Sequence, residues 1–200
     1  LPYKLLKDLN GYSIIENVIQ RSKTIKGVDE LVLCTSTNPQ DKPLVEVCRE
    51  QNIYYFLGSE EDVLQRMLDS AKFFGFDYVL SITGENPLFS IDHTNRIVDL
   101  IKKEQPDFTF FEGLPIGCSI AGIKTKALEV VCKIKNEVDT EIWGPLINRP
   151  EIFKIRSEKV EDYFCRPEWR FTNDYFEDYM FMQKIFSHFP YKTLPSLYQV

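Results

Sequence analysis

The sequence predicts an α/β protein, a three-layer α/β/α sandwich around a mostly parallel sheet. Two observations carry that expectation. Short apolar runs alternate with segments whose apolar residues recur at helical spacing, the pattern of parallel strands joined by helical crossovers. The apolar runs also end in clusters of Ser, Thr, Asn, Gly and Pro, so that strands open into polar loops. Composition agrees. With 200 residues, 44% hydrophobic and 27% charged, the chain suits one folded domain over 1–200 and is neither disordered nor fibrous.

Taken in order, residues 13–25 carry Ile14, Ile15, Val18 and Ile19 on one helical face. Residues 30–34 (ELVLC) read as a buried strand opening into Thr35, Ser36, Thr37, Asn38 and Pro39. Leu44, Val45 and Cys48 mark a short helix, and residues 53–56 a second strand. Ser59, with Asp62 three residues on, reads as the N-cap of a helix carrying Val63, Leu64, Met67, Leu68, Ala71 and Phe74. Residues 78–83 (YVLSIT) form the third clear strand, broken by Gly84, Glu85, Asn86 and Pro87. A helix near 92–104 turns Ile97, Val98 and Ile101 inward, and 108–111 is a strand. Residues 114–123 read as extended and irregular, and 126–133 as helical through Leu128 and Val131. Late strands are expected at 153–155 and 169–172. A final helix at 175–189 is expected to bury Phe176, Tyr179, Met182 and Phe186. There is no repeat, low-complexity tract or linker.

Charge and cysteine usage exclude several functions. The 24 Lys and Arg against 30 Asp and Glu leave a net charge of −6, which argues against nucleic acid or a membrane surface as partner. No apolar run approaches the roughly 18 residues of a membrane-spanning helix, and the first residues lack a signal-peptide pattern. Five scattered cysteines without a CxxC pair and two distant histidines offer no zinc site, and they point to reduced thiols and a cytoplasmic location. His93 and His188 fall on helical faces without a partner motif and read as structural. The chain opens at Leu1 without methionine, so further residues are expected upstream.

In open α/β sheets ligands bind outside the carboxyl ends of the strands. Three loops at such ends carry polar groups: residues 35–38, 84–86 and 172–174. Glu85 and Asp174 both follow apolar strands directly, so the fold can bring two carboxylates together across the sequence. Hard oxygen ligands without His or Cys suit Mg²⁺, which keeps waters and takes substrate phosphates as further ligands. The bland alternative is that Glu85 caps a turn and Asp174 caps the last helix.

The order of these loops resembles that of the nucleotide-sugar cytidylyltransferases, the spore-coat polysaccharide type above all, and more distantly the acylneuraminate and 3-deoxy-manno-octulosonate cytidylyltransferases. Leu1-Pro2-Tyr3-Lys4 is similar to the end of the family's phosphate-binding loop. Leu33-Cys34-Thr35-Ser36-Thr37-Asn38-Pro39 resembles its second strand and nucleotide loop, and Gly58-Ser59-Glu60-Glu61-Asp62-Val63-Leu64 with Arg66 its Gly-Ser-Glu segment. Ile82-Thr83-Gly84-Glu85-Asn86-Pro87-Leu88 resembles Ile-Thr-Gly-Asp-x-Pro-Leu. Asp139 and Glu141 fall where the family has Asp-Arg-Glu, and Arg170-Phe171-Thr172-Asn173-Asp174, then Glu177-Asp178, resembles its last motif.

The resemblance implies a Rossmann-like nucleotide-diphospho-sugar transferase sheet, whose first strand and most of whose phosphate loop would lie upstream of Leu1. It implies transfer of CMP from CTP to a sugar acid or sugar phosphate with release of pyrophosphate, for surface polysaccharide or glycan synthesis, with a homodimer as the expected assembly. Lys4, Glu85 and Asp174 would be catalytic, the two carboxylates holding Mg²⁺. Lys4, Thr35, Ser36, Thr37, Ser59, Arg66, Gly84 and Asn86 would bind the nucleotide. Three departures stand out. Tyr3 replaces Gly, Glu85 replaces Asp, and the family's acidic Gly-x-Asp-x-Glu strand reads Gly117-Cys118-Ser119-Ile120-Ala121 without either carboxylate. The last departure leaves open a degenerate nucleotide-binding relative. A glycosyltransferase of related fold ranks lower, because the chain has no Asp-x-Asp.

Overall fold

The computed structural model describes residues 3–200. A short hairpin, β1 (Asp8–Leu9) and β2 (Tyr12–Ser13), leads into α1 (Ile14–Ser22). Ser13 caps this helix in a capping box with Glu16, so α1 starts where its apolar stripe starts. Then come β3 (Val32–Ser36), α2 (Lys42–Glu50), β4 (Tyr54–Gly58), α3 (Val63–Phe74), β5 (Tyr78–Ser81) and α4 (Ile91–Glu104). The chain continues through β6 (Phe108–Glu112), β7 (Ala121–Lys124), α5 (Thr125–Ile134), α6 (Gly144–Ile147), β8 (Ile155–Lys159) and α7 (Phe176–Phe186).

The alternation of strands and helices is as the sequence predicts, but the sheet is mixed. β3 pairs with β4 in parallel, and β6 with β8, whereas β7 runs antiparallel to both β5 and β6, giving the order β5-β7-β6-β8. β7 overlaps the end of the stretch 114–123 read as extended and irregular, where Ala121 and Gly122 interrupt the apolar pattern. Residues 169–172 contribute no strand, only a single parallel bridge between Arg170 and Ile116. The strand expected at 153–155 lies a little later, at Ile155–Lys159, on the sheet edge.

The pleat sorts side chains into two apolar clusters. On β6, Phe108 and Phe110 join Leu64, Leu68, Leu128 and Val131 of α3 and α5, whereas Phe111 joins Ile15, Ile19, Ile97, Met182 and Phe186 of α1, α4 and α7. On α7 Met182 and Phe186 are buried as predicted and Tyr179 packs against the core, but Phe176 is exposed, because it opens the helix on the solvent side.

Among the described residues β3 pairs only with β4 and β5 only with β7. Their other edges line one continuous groove, formed by two cavities of about 530 and 550 Å³ that share Leu31, Val32, Cys34, Val79, Leu80 and Ile82. No helix among the described residues is long and apolar enough to cross a membrane.

His93, read from the sequence as structural, is buried and has two hydrogen-bond partners. Its Nδ1 lies 2.7 Å from the hydroxyl of Ser90, the α4 N-cap, and its Nε2 lies 3.1 Å from Glu161. The neutral ring fits both, donating from Nε2 and accepting at Nδ1. Burial lowers the His93 pKa from 6.5, despite Glu161. Glu161, held by its own backbone N–H, His93 and Arg96, sits at about 2. A base that folds neutral stabilises the native state above its unfolded pKa and loses that contribution as pH falls through it. The midpoint of urea unfolding should therefore begin to fall below pH 6.5, and His93→Gln should flatten that first part of the decline. An unaltered profile in the variant would assign the decline to other groups.

Candidate active site

The site lies at the carboxyl end of β5. Gly84 sits there beneath Leu5 and Ile15, and a Cβ at this position would come within 3.2 Å of both side chains. The start of the chain is thus packed onto the loop that carries Glu85. A left-handed residue, Tyr3 (φ 50°), and a single 3₁₀ turn over Lys4–Leu6 set the direction of Lys4. The Lys4 ammonium lies 3.1 Å from Asp174 Oδ1 and 3.9 Å from Glu85 Oε1. Leu1 and Pro2, the rest of the phosphate-loop motif, lie outside the described residues.

Asn173, fully buried, holds the two acidic loops together. Its backbone N–H and its side-chain amide both donate to the Glu85 carbonyl, at 3.1 and 3.0 Å. The sequence assigns Asn173 no role, and its only signal there is its place in the polar loop 172–174 beside Asp174.

The bland alternative for Asp174 does not describe its contacts. The acid that closes the start of α7 is Asp178, whose Oδ2 accepts the N–H groups of Asp174 and Tyr175 at 3.0 and 2.9 Å. Asp174 instead accepts from Lys4, from Arg170 and, at 3.4 Å, from Thr172 Oγ1. Arg170 bridges Asp174 and Asp178. Partial burial opposes ionisation of Asp178, but the Tyr175 N–H and Arg170 hold its carboxyl below the usual range. Asp178 in turn raises the pKa of Arg170.

Of the residues named from the sequence, Lys4, Thr35, Ser36, Arg66, Gly84 and Glu85 line one cavity of about 530 Å³, the end of the β3–β5 groove that opens at the strand termini. Asp174 adjoins it through Lys4. Thr37, Ser59 and Asn86 are not among its lining residues. Ser59 does not cap α3: its hydroxyl accepts the N–H of Asp62, and Asp62 is the cap, accepting from Gln65 N at 3.0 Å. Asn86 Nδ2 donates to Thr83 Oγ1. Arg66 donates to the Ser59 carbonyl at 2.6 Å, which steadies the loop before α3. Glu141 and Trp143 reach the same cavity, with Asp139 Oδ1 accepting the Glu141 N–H at 3.0 Å. Asp41 also lines it and was missed, although an acid just ahead of an amphipathic helix was the available signal. Ser119, where the resemblance would place a carboxylate, lies 3.4 Å from the Phe111 carbonyl.

Comparison with known proteins returns one consistent picture. Residues 1–185 match the family model described as cytidylyltransferase. An uncharacterized protein of Methanocaldococcus jannaschii is 30% identical over 94% of this chain and 79% of its own. The spore coat polysaccharide biosynthesis protein SpsF of Bacillus subtilis is 24% identical over 90% and 78%. Among solved structures, a cytidylyltransferase from Leptospira borgpetersenii superposes with a TM-score of 0.87 at 25% identity, covering 94% of this chain and 82% of that one.

Proposed function

The chain belongs to the cytidylyltransferase family, and we propose that it transfers CMP from CTP to a sugar acid or sugar phosphate, releasing pyrophosphate, as a cytoplasmic enzyme of surface polysaccharide or glycan biosynthesis. Similarity to SpsF, a spore coat polysaccharide biosynthesis protein, supports the polysaccharide assignment. The observation that carries the reading is the meeting of Lys4, Glu85 and Asp174 beside a cavity at the strand termini.

Transfer requires an acceptor oxygen in line with the α-phosphorus and relief of the charge that builds on the leaving pyrophosphate, so the protein's work is positioning and electrostatics. The donor set fits a divalent cation. Glu85 and Asp174 already turn carboxylate oxygens toward one ammonium, and no third His, Cys, Asp or Glu joins them in a metal-ligating group among the described residues. Two hard oxygens with positions left for water and phosphate suit Mg²⁺, which when bound neutralises triphosphate charge. Lys4, on its flexible stem, can turn from the carboxylates to a phosphate oxygen. Thr35, Ser36 and Arg66 line the space for the nucleoside. Thr37, Ser59 and Asn86 belong to the loops around it and would meet the nucleotide where those loops close.

The groove between β3 and β5 bears on the same reading. Two facing strand edges with unpaired backbone call for a strand between them. We assign the run between residues 32–34 and 79–82 to a segment preceding Leu1, which would join the two sheets into one, with the two apolar clusters on its opposite faces as a three-layer sandwich. The end at Thr35, Ser36 and Glu85 is left to the nucleotide. The test therefore uses the protein extended to its natural N-terminus. With CTP, Mg²⁺ and a panel of sugar acids and sugar phosphates it should release pyrophosphate, and EDTA should abolish the release. No CTP binding and no release with any acceptor would overturn the assignment.

A further inference from the structure

We propose that Asp41 fixes the hydrogen-bond polarity of the nucleoside cavity, so that it receives an exocyclic amino group and rejects a carbonyl, making Asp41 the positioning residue for choosing cytosine over uracil. This rests on the cytidylyl-transfer reading and assigns the base choice within it.

Asp41 ends the turn after β3, facing back to the strand terminus. Its Oδ2 receives three donors: Thr35 Oγ1 at 2.8 Å, Ser36 Oγ at 2.6 Å and the Ser36 backbone N–H at 3.2 Å. Partial burial opposes its ionisation, but the bonds from Ser36 and Thr35 prevail and hold the carboxyl below its ordinary range. An ionised carboxylate has no proton to give, and a hydroxyl has only one. Both hydroxyl protons therefore point at Asp41, and what Thr35 and Ser36 can offer a ligand is lone pairs alone. Ser36 Oγ already accepts the Asn38 N–H at 3.0 Å, which leaves it one.

Both side chains are buried, Thr35 at 7% exposure and Ser36 at 4%, and both line the cavity. Where side chains are so little exposed, an acceptor facing a ligand's acceptor loses the water that would have satisfied it, and the mismatch is costly. Arg66, an obligate donor, lines the same cavity. The walls thus combine an acceptor cluster with a donor. Cytosine matches that pattern, with an amino group beside its acceptor atoms, whereas uracil carries an oxygen in place of the amino group. Without Asp41 each hydroxyl would be free to rotate and serve either base.

Calorimetric titration of CTP and of UTP, each with Mg²⁺, into wild type, Asp41→Ala and Thr35→Val tests this, with thermal unfolding as the check on folding. Wild type should bind CTP about 10²-fold or more tighter than UTP. Asp41→Ala, which removes the shared acceptor and leaves both hydroxyls free to turn, should cut that ratio by about 10-fold, chiefly by gaining UTP. Thr35→Val should lower the ratio by losing CTP. If Asp41→Ala does not fold, Thr35→Val decides. Equal binding of both nucleotides by wild type, or an unchanged ratio in the folded variants, overturns the base-choice role and leaves cytidylyl transfer standing. A wild type that binds neither nucleotide overturns both.

Discussion

Replacing Asp174 by Asn is expected to lower pyrophosphate release by about 10²-fold or more, with little effect on folding. The carboxylate shares Lys4 with Glu85, so its charge is half of the pair that would hold a divalent cation beside the triphosphate. The amide keeps the shape and removes the charge, leaving Lys4 and Arg170 to face a neutral group. Folding should survive because Asp178, not Asp174, accepts the N–H groups at the start of α7. Initial rates over a range of Mg²⁺ concentrations, with the unfolding midpoint measured in parallel, separate the two effects. The deficit should widen at low Mg²⁺. A rate within a few-fold of wild type would remove Asp174 from the chemistry.

Gly117→Ala is expected to disable the same site from a distance. Gly117 has φ +87°, where an L-residue is strained, and an added Cβ would lie 2.6 Å from the Phe171 carbonyl oxygen and 3.0 Å from the Thr172 nitrogen. These are backbone atoms, which cannot swing aside as a flexible side chain would. The strain alone is worth roughly 1–3 kcal/mol, and relief requires moving the segment that continues into Asn173 and Asp174. A displacement of about 1 Å at reacting groups can cost ~10² in rate. Activity should therefore fall well beyond the loss of stability when both are measured below the variant's unfolding transition. A variant that loses stability but keeps its rate would show that the segment absorbs the change before reaching Asp174.

Much of this was legible in the chain. The helical stripe of Ile14, Ile15, Val18 and Ile19, the run over Val63 to Phe74 and the strand before Gly84 all appear where periodicity puts them. Periodicity failed where side chains do not alternate: β7 opens with Ala121 and Gly122, and the stretch around Arg170 pairs through one bridge. Phe176 fits the helical period yet faces solvent, because the period names a face and not what covers it. Ser59 looked like the cap of α3, but Asp62, three residues on, takes that place by accepting the Gln65 N–H.

By itself the sequence determined the kinds of element, the polar loops at the strand ends and the acidic residue types within them, since these follow from neighbours a few positions apart. Only the tertiary structure decided that Lys4 meets Asp174 across 170 positions, that Asn173 ties the two acidic loops together, and that Asp41 orients the hydroxyls of Thr35 and Ser36. Those relations depend on strand order, crossover paths and the direction of individual protons, and no spacing along a chain contains them.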